Sequence, residues 1–425
     1  MDRRDKISSQ INELVKEYFT GAVKEKFVPG KTRIPLMLPA FGWEEVNESI
    51  DSLLSTQLTM GVKVKKFEAM FAQYIGSDYA TMVHSGSSAN LLAISILMNP
   101  ALKNRIKPED EIITPAITWA TTVWPIINCG AVPVLVDVDL NTFDISVKEI
   151  EKSITPKTRA IMLVHLLGNP CDMDNILAIA KKHNLYIIED SCEAHGAEVN
   201  GKKVGSFGDL ATFSFFFSHH ITTIEGGMVM TNNEELSELS RTLRVFGWVR
   251  DLKNKEKLAK AYKDIDPRFL FVNTGYNLRP TEVEASFGLH QIGKLEKFID
   301  IRRDNAKYWG QNLDKFNDYL LLQTERENTR HVWFGYPMTV LPGAPFTRKE
   351  IMDFLESKGV ETRPIMSGNI DEQPGIALFN YRKVGALKNA RLIMRNSFFF
   401  GNHQGIGKEE REAIVSYINE FMSKR

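Results

Sequence analysis

Strand-like and helical segments alternate along the first half of this chain, and this alternation constrains the fold more than any other feature. From residue 79 onward, short apolar runs are separated by longer stretches of helical character. Such alternation predicts an α/β sheet whose strands are joined by helical crossovers. The predicted strands are residues 79–83, 111–114, 132–137, 160–165, 186–190 and 210–214.

The segments outside this region predict two further parts of the molecule. Apolar residues recur at helical spacing over residues 7–27, which predicts an amphipathic helix ahead of the sheet. Residues 252–272 are charge-rich without clear periodicity and predict a long irregular excursion. A helix over about residues 280–315 is expected to lead into a C-terminal lobe with a strand at 333–340 and helices at 348–358 and 408–422.

These segments predict three domains. We expect an N-terminal helical extension over residues 1–40, a large α/β domain over residues 41–295 and a small α/β domain over residues 296–425. A chain of 425 residues is long enough to bury a large core in such an arrangement.

Composition excludes several classes of function. The 53 lysines and arginines balance 53 aspartates and glutamates, so charge does not favour binding to nucleic acid or to a membrane surface. No signal peptide and no membrane-spanning apolar run is recognisable, and we expect a cytoplasmic protein. The three cysteines are widely spaced and form no metal-type pair, so they are expected to be reduced thiols.

One segment combines features that indicate proton chemistry. An apolar run at residues 213–217 leads to the adjacent histidines His219 and His220, and then to a Glu-Gly-Gly turn that begins at Glu225. An imidazole takes up and releases protons near neutral pH because its unperturbed pKa is about 6.5. Packing in a core or loop explains an isolated histidine pair equally well, so the interpretation depends on the other motifs.

A glycine- and serine-rich turn follows the first predicted strand. Ser85, Gly86, Ser87 and Ser88 precede an apolar helix. Backbone N–H groups at a helix N-terminus, together with serine hydroxyl groups, favour a bound phosphate. The same residues also form an ordinary helix cap, and the turn alone does not decide between the two.

Two further residues suit a planar ring that contains nitrogen. Asp190 ends a buried strand, where a carboxylate can keep a pyridine nitrogen protonated through a charge-assisted hydrogen bond. Trp119 follows the strand at residues 111–114 and offers an indole face for stacking. A helix-capping aspartate and a core tryptophan are the simpler alternatives.

Together these motifs resemble the active-site segments of the nucleotide-sugar aminotransferases of the DegT/DnrJ/EryC family, which work with pyridoxal phosphate (PLP). In that family a lysine six residues before the glutamate of the Glu-Gly-Gly turn binds the cofactor; the corresponding residue here is His219. An imidazole cannot condense with the cofactor aldehyde as a lysine amine does. The resemblance therefore narrows to the family's 3-dehydratases, which form 3,6-dideoxysugars and share the His-His arrangement.

The resemblance implies both a fold and an activity. The fold is the α/β type I fold of PLP-dependent transferases, with a mixed, mostly parallel seven-stranded sheet and a small C-terminal α/β domain. The activity is C3 dehydration of a nucleotide-linked 4-keto-6-deoxyhexose, with pyridoxamine phosphate (PMP) regenerated from PLP by L-glutamate. No iron–sulfur cluster is expected, because residues 232–300 contain no cysteine that could hold one.

The resemblance also implies roles for individual residues. His219 is the expected catalytic base at the C4′ atom of a cofactor that is not bound covalently through lysine. Asn277 is expected to reach the cofactor phosphate in a neighbouring subunit, which makes the active site a shared feature of a homodimer. The expected cofactor contacts are Gly86, Ser87, Ser88, Trp119, Asp190, Glu193, Ser214 and Asn277. No metal ligand is predicted.

The substrate contacts and the nucleotide stay open. Guanidinium groups suit phosphate oxygens, so Arg250, Arg279 and Arg363 are candidates for the diphosphate. Trp333 and Phe334 are candidates for the sugar pocket. Surface ion pairs and packing explain these five residues equally well. The chain resembles dehydratases of GDP-linked sugars and, near its N-terminus, those of CDP-linked sugars. A dTDP-linked substrate and a non-catalytic sensor of PLP or nucleotide sugar are the other hypotheses.

Overall fold

Alternating helices and strands build the fold. The computed structural model describes residues 3–21, 26–250 and 252–425. The α-helices are α1 (Arg3–Thr20), α2 (Trp43–Leu54), α3 (Val62–Ile75), α4 (Gly86–Leu97), α5 (Ala120–Asn128), α6 (Val147–Ser153), α7 (Met173–His183), α8 (Glu234–Arg244), α9 (Lys255–Ala261), α10 (Glu282–Gln291), α11 (Leu295–Leu313), α12 (Arg348–Ser357), α13 (Lys388–Asn396) and α14 (Lys408–Met422). The strands are β1 (Tyr79–Val83), β2 (Glu111–Pro115), β3 (Val132–Val136), β4 (Thr158–Val164), β5 (Tyr186–Asp190), β6 (Glu198–Val199), β7 (Lys202–Lys203), β8 (Leu210–Ser214), β9 (Gly227–Thr231), β10 (Leu320–Leu322), β11 (Thr329–Arg330), β12 (Gly335–Val340), β13 (Thr362–Pro364), β14 (Arg382–Lys383) and β15 (Ser397–Gly401).

The central sheet has the strand order β1-β9-β8-β5-β4-β2-β3-β14. From β8 to β14 neighbouring strands run parallel, whereas β9 runs antiparallel to both of its neighbours, β1 and β8. The predicted α/β fold with a mixed, mostly parallel sheet is therefore confirmed. Each of the six strands predicted between residues 79 and 214 is present, with its ends shifted by no more than two residues.

The sheet has eight strands, one more than the predicted seven. The additional strand, β14, contains only Arg382 and Lys383 and pairs with β3. The Arg382 guanidinium group holds it in place by donating two hydrogen bonds of 2.8 Å to the carboxylate of Glu111. A strand of two residues has no period of its own, so it leaves no signal in the sequence.

Side chains that alternate along the strands fill cores on both faces of the sheet. In β4, Ile161 and Leu163 pack with α3 and α7 on one face, whereas Ala160 and Met162 pack with α4 and α8 on the other. Successive residues of a strand point to opposite faces, so a sheet covered on both faces needs continuously apolar strands. This explains why the predicted strands are apolar runs.

A second, antiparallel sheet with the order β10-β12-β15-β13 lies in the C-terminal part of the chain. Helices α11, α12 and α14 pack on it around a core that includes Trp309, Tyr336 and Phe400. The strand and the two helices predicted in this part are present as β12, α12 and α14. The predicted domain boundaries at residues 40 and 295 stay a prediction.

The helix predicted over residues 280–315 is two helices in the structure. A 3₁₀ turn at Ile292–Lys294 separates α10 from α11. A capping box between Thr281 and Glu284 begins α10. The carboxylate of Glu282 then accepts backbone hydrogen bonds from the start of α3 and fixes α10 against that helix. Apolar spacing continues through the short turn, which is why periodicity alone does not reveal it.

Two other predicted segments differ in detail. Helix α1 contains no buried residue, and the predicted continuation toward residue 27 includes residues 22–25, which lie outside the described residues. The excursion predicted at residues 252–272 contains the short helix α9. None of the helices in the described ranges is long and apolar enough to cross a bilayer.

Candidate active site

A cavity of about 520 Å³ lies at the carboxyl ends of β5 and β8. Ligands of open α/β sheets bind at this edge, because the loops that follow parallel strands converge there. The segment before α2 and the C-terminal part of the chain contribute apolar walls. The predicted site residues that line the cavity are Gly86, Ser87, Trp119, Asp190, Glu193, Ser214 and His219.

The Asp190 carboxylate is fixed at the end of β5, with only 5% of the residue exposed. Asn90 Nδ2 and Thr122 Oγ1 donate hydrogen bonds of 2.9 and 2.8 Å to Oδ2. The backbone N–H of Cys192 donates to Oδ1 over 3.2 Å. These three donors set the orientation of a carboxylate that lines the cavity, and such a preset acceptor suits a protonated ring nitrogen.

The Ser-Gly-Ser-Ser turn forms the N-terminus of α4. The Ser85 hydroxyl oxygen caps the helix by accepting a 3.1 Å hydrogen bond from the backbone N–H of Ser88. Gly86 lies so close to Ser214 at the end of β8 that a side chain there would clash with Ser214 Cβ and come within 2.9 Å of its Oγ. The first N–H groups of a helix have no partner within the helix. The glycine thus brings such groups, the exposed Ser87 and the Ser214 hydroxyl to one side of the cavity.

Trp119 is not a core residue. It immediately precedes α5 and is 56% exposed, with its side chain lining the cavity. An exposed indole at a cavity wall offers a stacking surface for a planar ring. The alternative of a core tryptophan is therefore wrong.

His219 belongs to a group of three histidines, which we call the histidine cluster: His195, His219 and His220. The ring of His195 lies 6.2 Å from that of His219 and 5.5 Å from that of His220, measured between centroids. Phe334 packs on both His219 and His220, with centroid distances of 5.3 and 5.8 Å. His195 and His220 are fully buried, whereas His219 is partly exposed and lines the cavity. Within the cluster, His219 is the residue that can contact a ligand.

The surroundings of His219 favour its neutral form. Burial, and then the nearby guanidinium group of Arg302, lower the pKa of His219 to about 3. The Nδ1 atom of His219 is buried and has no hydrogen-bond partner among the residues that the structure describes. At neutral pH the imidazole is therefore uncharged and can accept a proton.

Glu193 lies three residues after Asp190 and lines the same cavity. Burial and the negative charge of Asp190 raise the pKa of Glu193 to about 8, against the opposing effect of a hydrogen bond from Leu167. In that bond the Leu167 backbone N–H donates to Oε2 over 2.7 Å. The Glu193 carboxyl group is thus mostly protonated at pH 7 and has a proton to donate.

Two predicted cofactor contacts do not line the cavity. The Ser88 hydroxyl group lies 2.9 Å from Ser85 Oγ and also contacts His84, so it takes part in the helix cap. Asn277 is exposed and accepts a 2.9 Å hydrogen bond from Arg279 Nε. The contact expected between Asn277 and a neighbouring subunit stays a prediction.

The prediction that Trp333 lines a sugar pocket needs correction. Trp333 is 8% exposed and belongs to the C-terminal core, where its ring stacks on His331 with centroids 3.8 Å apart. Phe334, the other residue predicted for that pocket, does line the cavity. The backbone of Trp333 has a φ of 48°, so the chain turns at this residue, and only the fold shows which of the two lines the cavity.

The three predicted arginines lie outside the cavity wall. Arg250 and Arg279 are exposed, and their guanidinium groups lie 5.5 Å from the Trp248 ring and 5.3 Å from the Phe246 ring. Arg363 is exposed on β13 and forms an ion pair with Glu361. Their contacts with a diphosphate stay predictions.

Some lining residues were not identified from the sequence. Met37 and Phe399 come from segments far apart in the chain and belong to no motif, and Met366 lies in a segment, residues 362–369, that resembles the 3-dehydratases but was assigned no role. Glu225, known from the sequence only as the start of the Glu-Gly-Gly turn, also lines the cavity. Glu225 lies two residues before β9, and its position beside the cavity becomes visible only in the structure.

Comparison with known proteins places this site in a family. The model of the DegT/DnrJ/EryC1/StrS aminotransferase family matches residues 40–419, most of the chain. The chain belongs to this family. The predicted family is therefore confirmed.

Relatives within the DegT/DnrJ/EryC1/StrS family include sugar dehydratases. GDP-4-keto-6-deoxy-D-mannose 3-dehydratase of Escherichia coli O55:H7 is 40% identical over 367 residues, which cover 85% of this chain and 94% of that protein. The dTDP-4-dehydro-2,6-dideoxy-D-glucose 3-dehydratase of Saccharopolyspora spinosa is 35% identical, over 100% of this chain and 93% of its own.

Solved structures agree with the fold. A crystal structure of GDP-4-keto-6-deoxymannose-3-dehydratase with a trapped PLP–glutamate geminal diamine has a TM-score of 0.85 and 37% identity. The match covers 90% of this chain and 99% of that chain. The predicted type I fold of PLP-dependent transferases is confirmed.

Proposed function

We propose that this protein is a coenzyme B6-dependent dehydratase. It removes the C3 hydroxyl group of a nucleotide-linked 4-keto-6-deoxyhexose and yields a 4-keto-3,6-dideoxyhexose. The observation that carries the proposal is His219, which occupies the position of the family's lysine, six residues before Glu225, and lines the cavity beside Asp190. The predicted enzyme class agrees with the names of the relatives, which are 3-dehydratases.

The residues of the cavity fit PLP or PMP. Asp190 would hold the protonated ring nitrogen, Trp119 would stack on the ring, and the turn at Gly86 and Ser87 with Ser214 would hold the phosphate. When bound, the cofactor supplies an electron sink for the reacting carbon. No lysine is among the described residues that line the cavity. We therefore infer that the cofactor is held without a covalent bond to the protein.

His219 is the proposed proton carrier. Its neutral ring accepts the proton from the C4′ atom and then delivers a proton to the C3 hydroxyl group, which leaves as water. A lysine at this position would bind the cofactor covalently, whereas a histidine leaves the amine of PMP free to react with the sugar. Glu193, neutral in this cavity, has a proton to donate near the ring. L-glutamate is the proposed amino donor that restores PMP.

A GDP-linked sugar is the proposed substrate class. The relative with 40% identity is named for GDP-4-keto-6-deoxy-D-mannose, which favours that nucleotide. A dTDP-linked sugar is the second candidate, because the relative whose match spans this whole chain is named for a dTDP-linked substrate. A CDP-linked sugar remains the third hypothesis from the sequence.

We also propose a homodimer that shares its active sites. No lysine or arginine is among the described residues that line the cavity, although a cofactor phosphate and a sugar diphosphate both need cationic or amide partners. Exposed Asn277, Arg250 and Arg279 lie on one stretch of chain and could supply them from a second copy. The cytoplasmic location expected from the sequence stays a prediction.

Mass spectrometry of the sugar product tests the proposed function. The protein is incubated with PLP, L-glutamate and GDP-4-keto-6-deoxymannose, with the His219→Asn variant as the inactive control. We expect a product that lacks one oxygen atom, formed together with ammonia and 2-oxoglutarate. An amino sugar would contradict the proposal. If no sugar product forms but glutamate still converts PLP to PMP, the substrate is a CDP- or dTDP-linked sugar instead of a GDP-linked one.

The close approach at Gly86 gives a prediction about cofactor affinity. Gly86→Ala should weaken PMP binding by about 10- to 100-fold, because the new Cβ pushes the turn away from Ser214 and removes hydrogen bonds to the phosphate. Fluorescence titration with PMP measures this. Gly293→Ala is the matched control, since its Cβ would meet open space. Equal affinity in both variants would show that this turn does not hold the phosphate.

A further inference from the structure

Arg302 is a buried arginine with no ion pair to a carboxylate among the described residues. It lies on α11 and is only 3% exposed. Its Nη1 atom donates hydrogen bonds to the backbone carbonyl oxygens of Trp333 (3.3 Å), Phe334 (2.9 Å) and Asn402. Carbonyl oxygens satisfy these donors but do not neutralise the charge, and an unpaired buried charge is destabilising. Such an arginine is a candidate for a functional role.

The carbonyl groups that Arg302 holds belong to the layer that packs on the histidine cluster. Phe334 packs edge to face on His219, and the Val332 carbonyl oxygen lies 3.1 Å from His220 Nε2. Asn402 Nδ2 in turn donates a 3.0 Å hydrogen bond to the Arg302 carbonyl oxygen. Arg302 therefore holds the segment that separates it from the cluster, and its charge has little solvent to screen it.

Among the described residues, Arg302 is the cationic side chain whose charge acts on His219, from behind the segment that carries Phe334. The other titratable groups around His219 are His195 and His220 of the cluster, together with Cys192, Asp190, Glu193 and Glu225, which line the same cavity. Burial lowers the pKa of His195 and of His220 well below the ordinary value. Burial also lowers the pKa of Arg302, to about 9, so the guanidinium group stays charged at pH 7. Asp190 and Glu225 line the cavity, on the side where the ligand would lie.

We propose that Arg302 is a positioning residue whose charge, added to the effect of burial, favours the neutral form of His219 and returns it to its proton-accepting form during dehydration. This inference rests on the proposed function. With the cofactor and sugar bound, His219 would accept the proton from the C4′ carbon, and the electron pair of that bond would be used to break the C3–O bond of the sugar. His219 would then give its proton to the departing oxygen, which leaves as water.

The physical reason is repulsion between two positive charges. A protonated His219 near Arg302, with little water between them, is destabilised relative to the neutral ring. His219 therefore does not store the proton but passes it to the departing hydroxyl oxygen. Without Arg302 the imidazolium would last longer, and His219 would titrate at a higher pH.

Histidine NMR of the protein without cofactor tests this directly. The protein is labelled with [¹³Cε1]histidine, and the His219 signal is assigned as the one lost in His219→Asn. We expect the wild-type signal to keep its neutral chemical shift down to about pH 5. A His219 signal that titrates near the ordinary histidine pKa of about 6.5 would overturn the proposal, and this experiment needs no change at Arg302.

Two substitutions separate charge from packing. Arg302→Met removes the charge and should move the His219 titration, and the acid limb of kcat/KM, upward by about one pH unit. Arg302→Lys keeps the positive charge on a side chain of different shape. It should leave the His219 titration and the acid limb of kcat/KM near their wild-type positions. Thermal unfolding reports on the fold of each variant. Equal shifts in the two variants, or no shift in Arg302→Met, would overturn the role of the charge.

The outcomes also distinguish this inference from the proposed function. Normal dehydration by a protein whose His219 titrates like an ordinary histidine would overturn the role of Arg302 and leave the function intact. A neutral His219 whose titration depends on Arg302, in a protein that dehydrates no nucleotide sugar, would support the electrostatic role and overturn the function.

Discussion

Replacing His219 by asparagine is expected to lower the rate of dehydration by about 10²- to 10⁴-fold while PMP binding is retained, because general acid–base catalysis typically contributes that much. Asparagine keeps a polar side chain of similar size but cannot carry a proton. His219 is the residue of the histidine cluster that lines the cavity, so no other member of the cluster can replace it there. Single-turnover measurements with PMP-loaded protein would give the rate.

The matched control for this prediction is His183→Asn. His183 is exposed at the end of α7, away from the cavity, and its substitution should leave the rate unchanged. Retained PMP in His219→Asn, seen by absorbance after gel filtration, would show that the site is intact. Normal turnover by the His219→Asn variant would refute the assignment of the base.

The second large effect is expected for Asp190→Asn, which should lower the rate by about 10- to 150-fold. Loss of one hydrogen bond to a charged group is worth about 1.5–3 kcal/mol, and each 1.4 kcal/mol is a tenfold change in rate. The amide also places an N–H donor near the backbone N–H of Cys192 or near the donors Asn90 and Thr122. Absorbance titration with PLP would measure cofactor binding, and single-turnover experiments would measure the rate.

Asp174→Asn serves as the control for Asp190. Asp174 is exposed on α7 and does not line the cavity. Its substitution makes the same chemical change away from the site. It should bind the cofactor and react at the wild-type rate. A rate in Asp190→Asn within a few-fold of that control would show that Asp190 does not hold the ring nitrogen.

The sheet was largely predictable because its physical signal is local. A strand buried on both faces must be apolar over its buried part, and β3 and residues 160–164 of β4 meet that requirement in their own sequences. The elements that were not predicted depend on contacts with residues distant in the sequence. β14 pairs with β3 where Arg382 reaches Glu111, and the 3₁₀ turn between α10 and α11 interrupts the helix although the apolar spacing continues through it.

The candidate site shows the same division. Residues in motifs, such as Gly86, Asp190 and His219, lie together in the cavity as the sequence predicts. Apolar walls come from segments that only the tertiary fold brings near. Of the two residues predicted for the sugar pocket, Phe334 lines the cavity and Trp333 lies in the C-terminal core, because the turn of the chain at Trp333 depends on tertiary packing. Arg302 carries no motif, and only its burial without a carboxylate draws attention to it.

A histidine in place of the covalent lysine is the feature that separates this enzyme from an aminotransferase. Borohydride reduction of the PLP-loaded protein, followed by denaturation and intact-mass measurement, tests it most directly. The wild-type chain should keep its unmodified mass, whereas His219→Lys should gain one pyridoxyl phosphate group at residue 219. Stoichiometric attachment of the cofactor to a lysine of the wild-type chain would contradict the proposed chemistry.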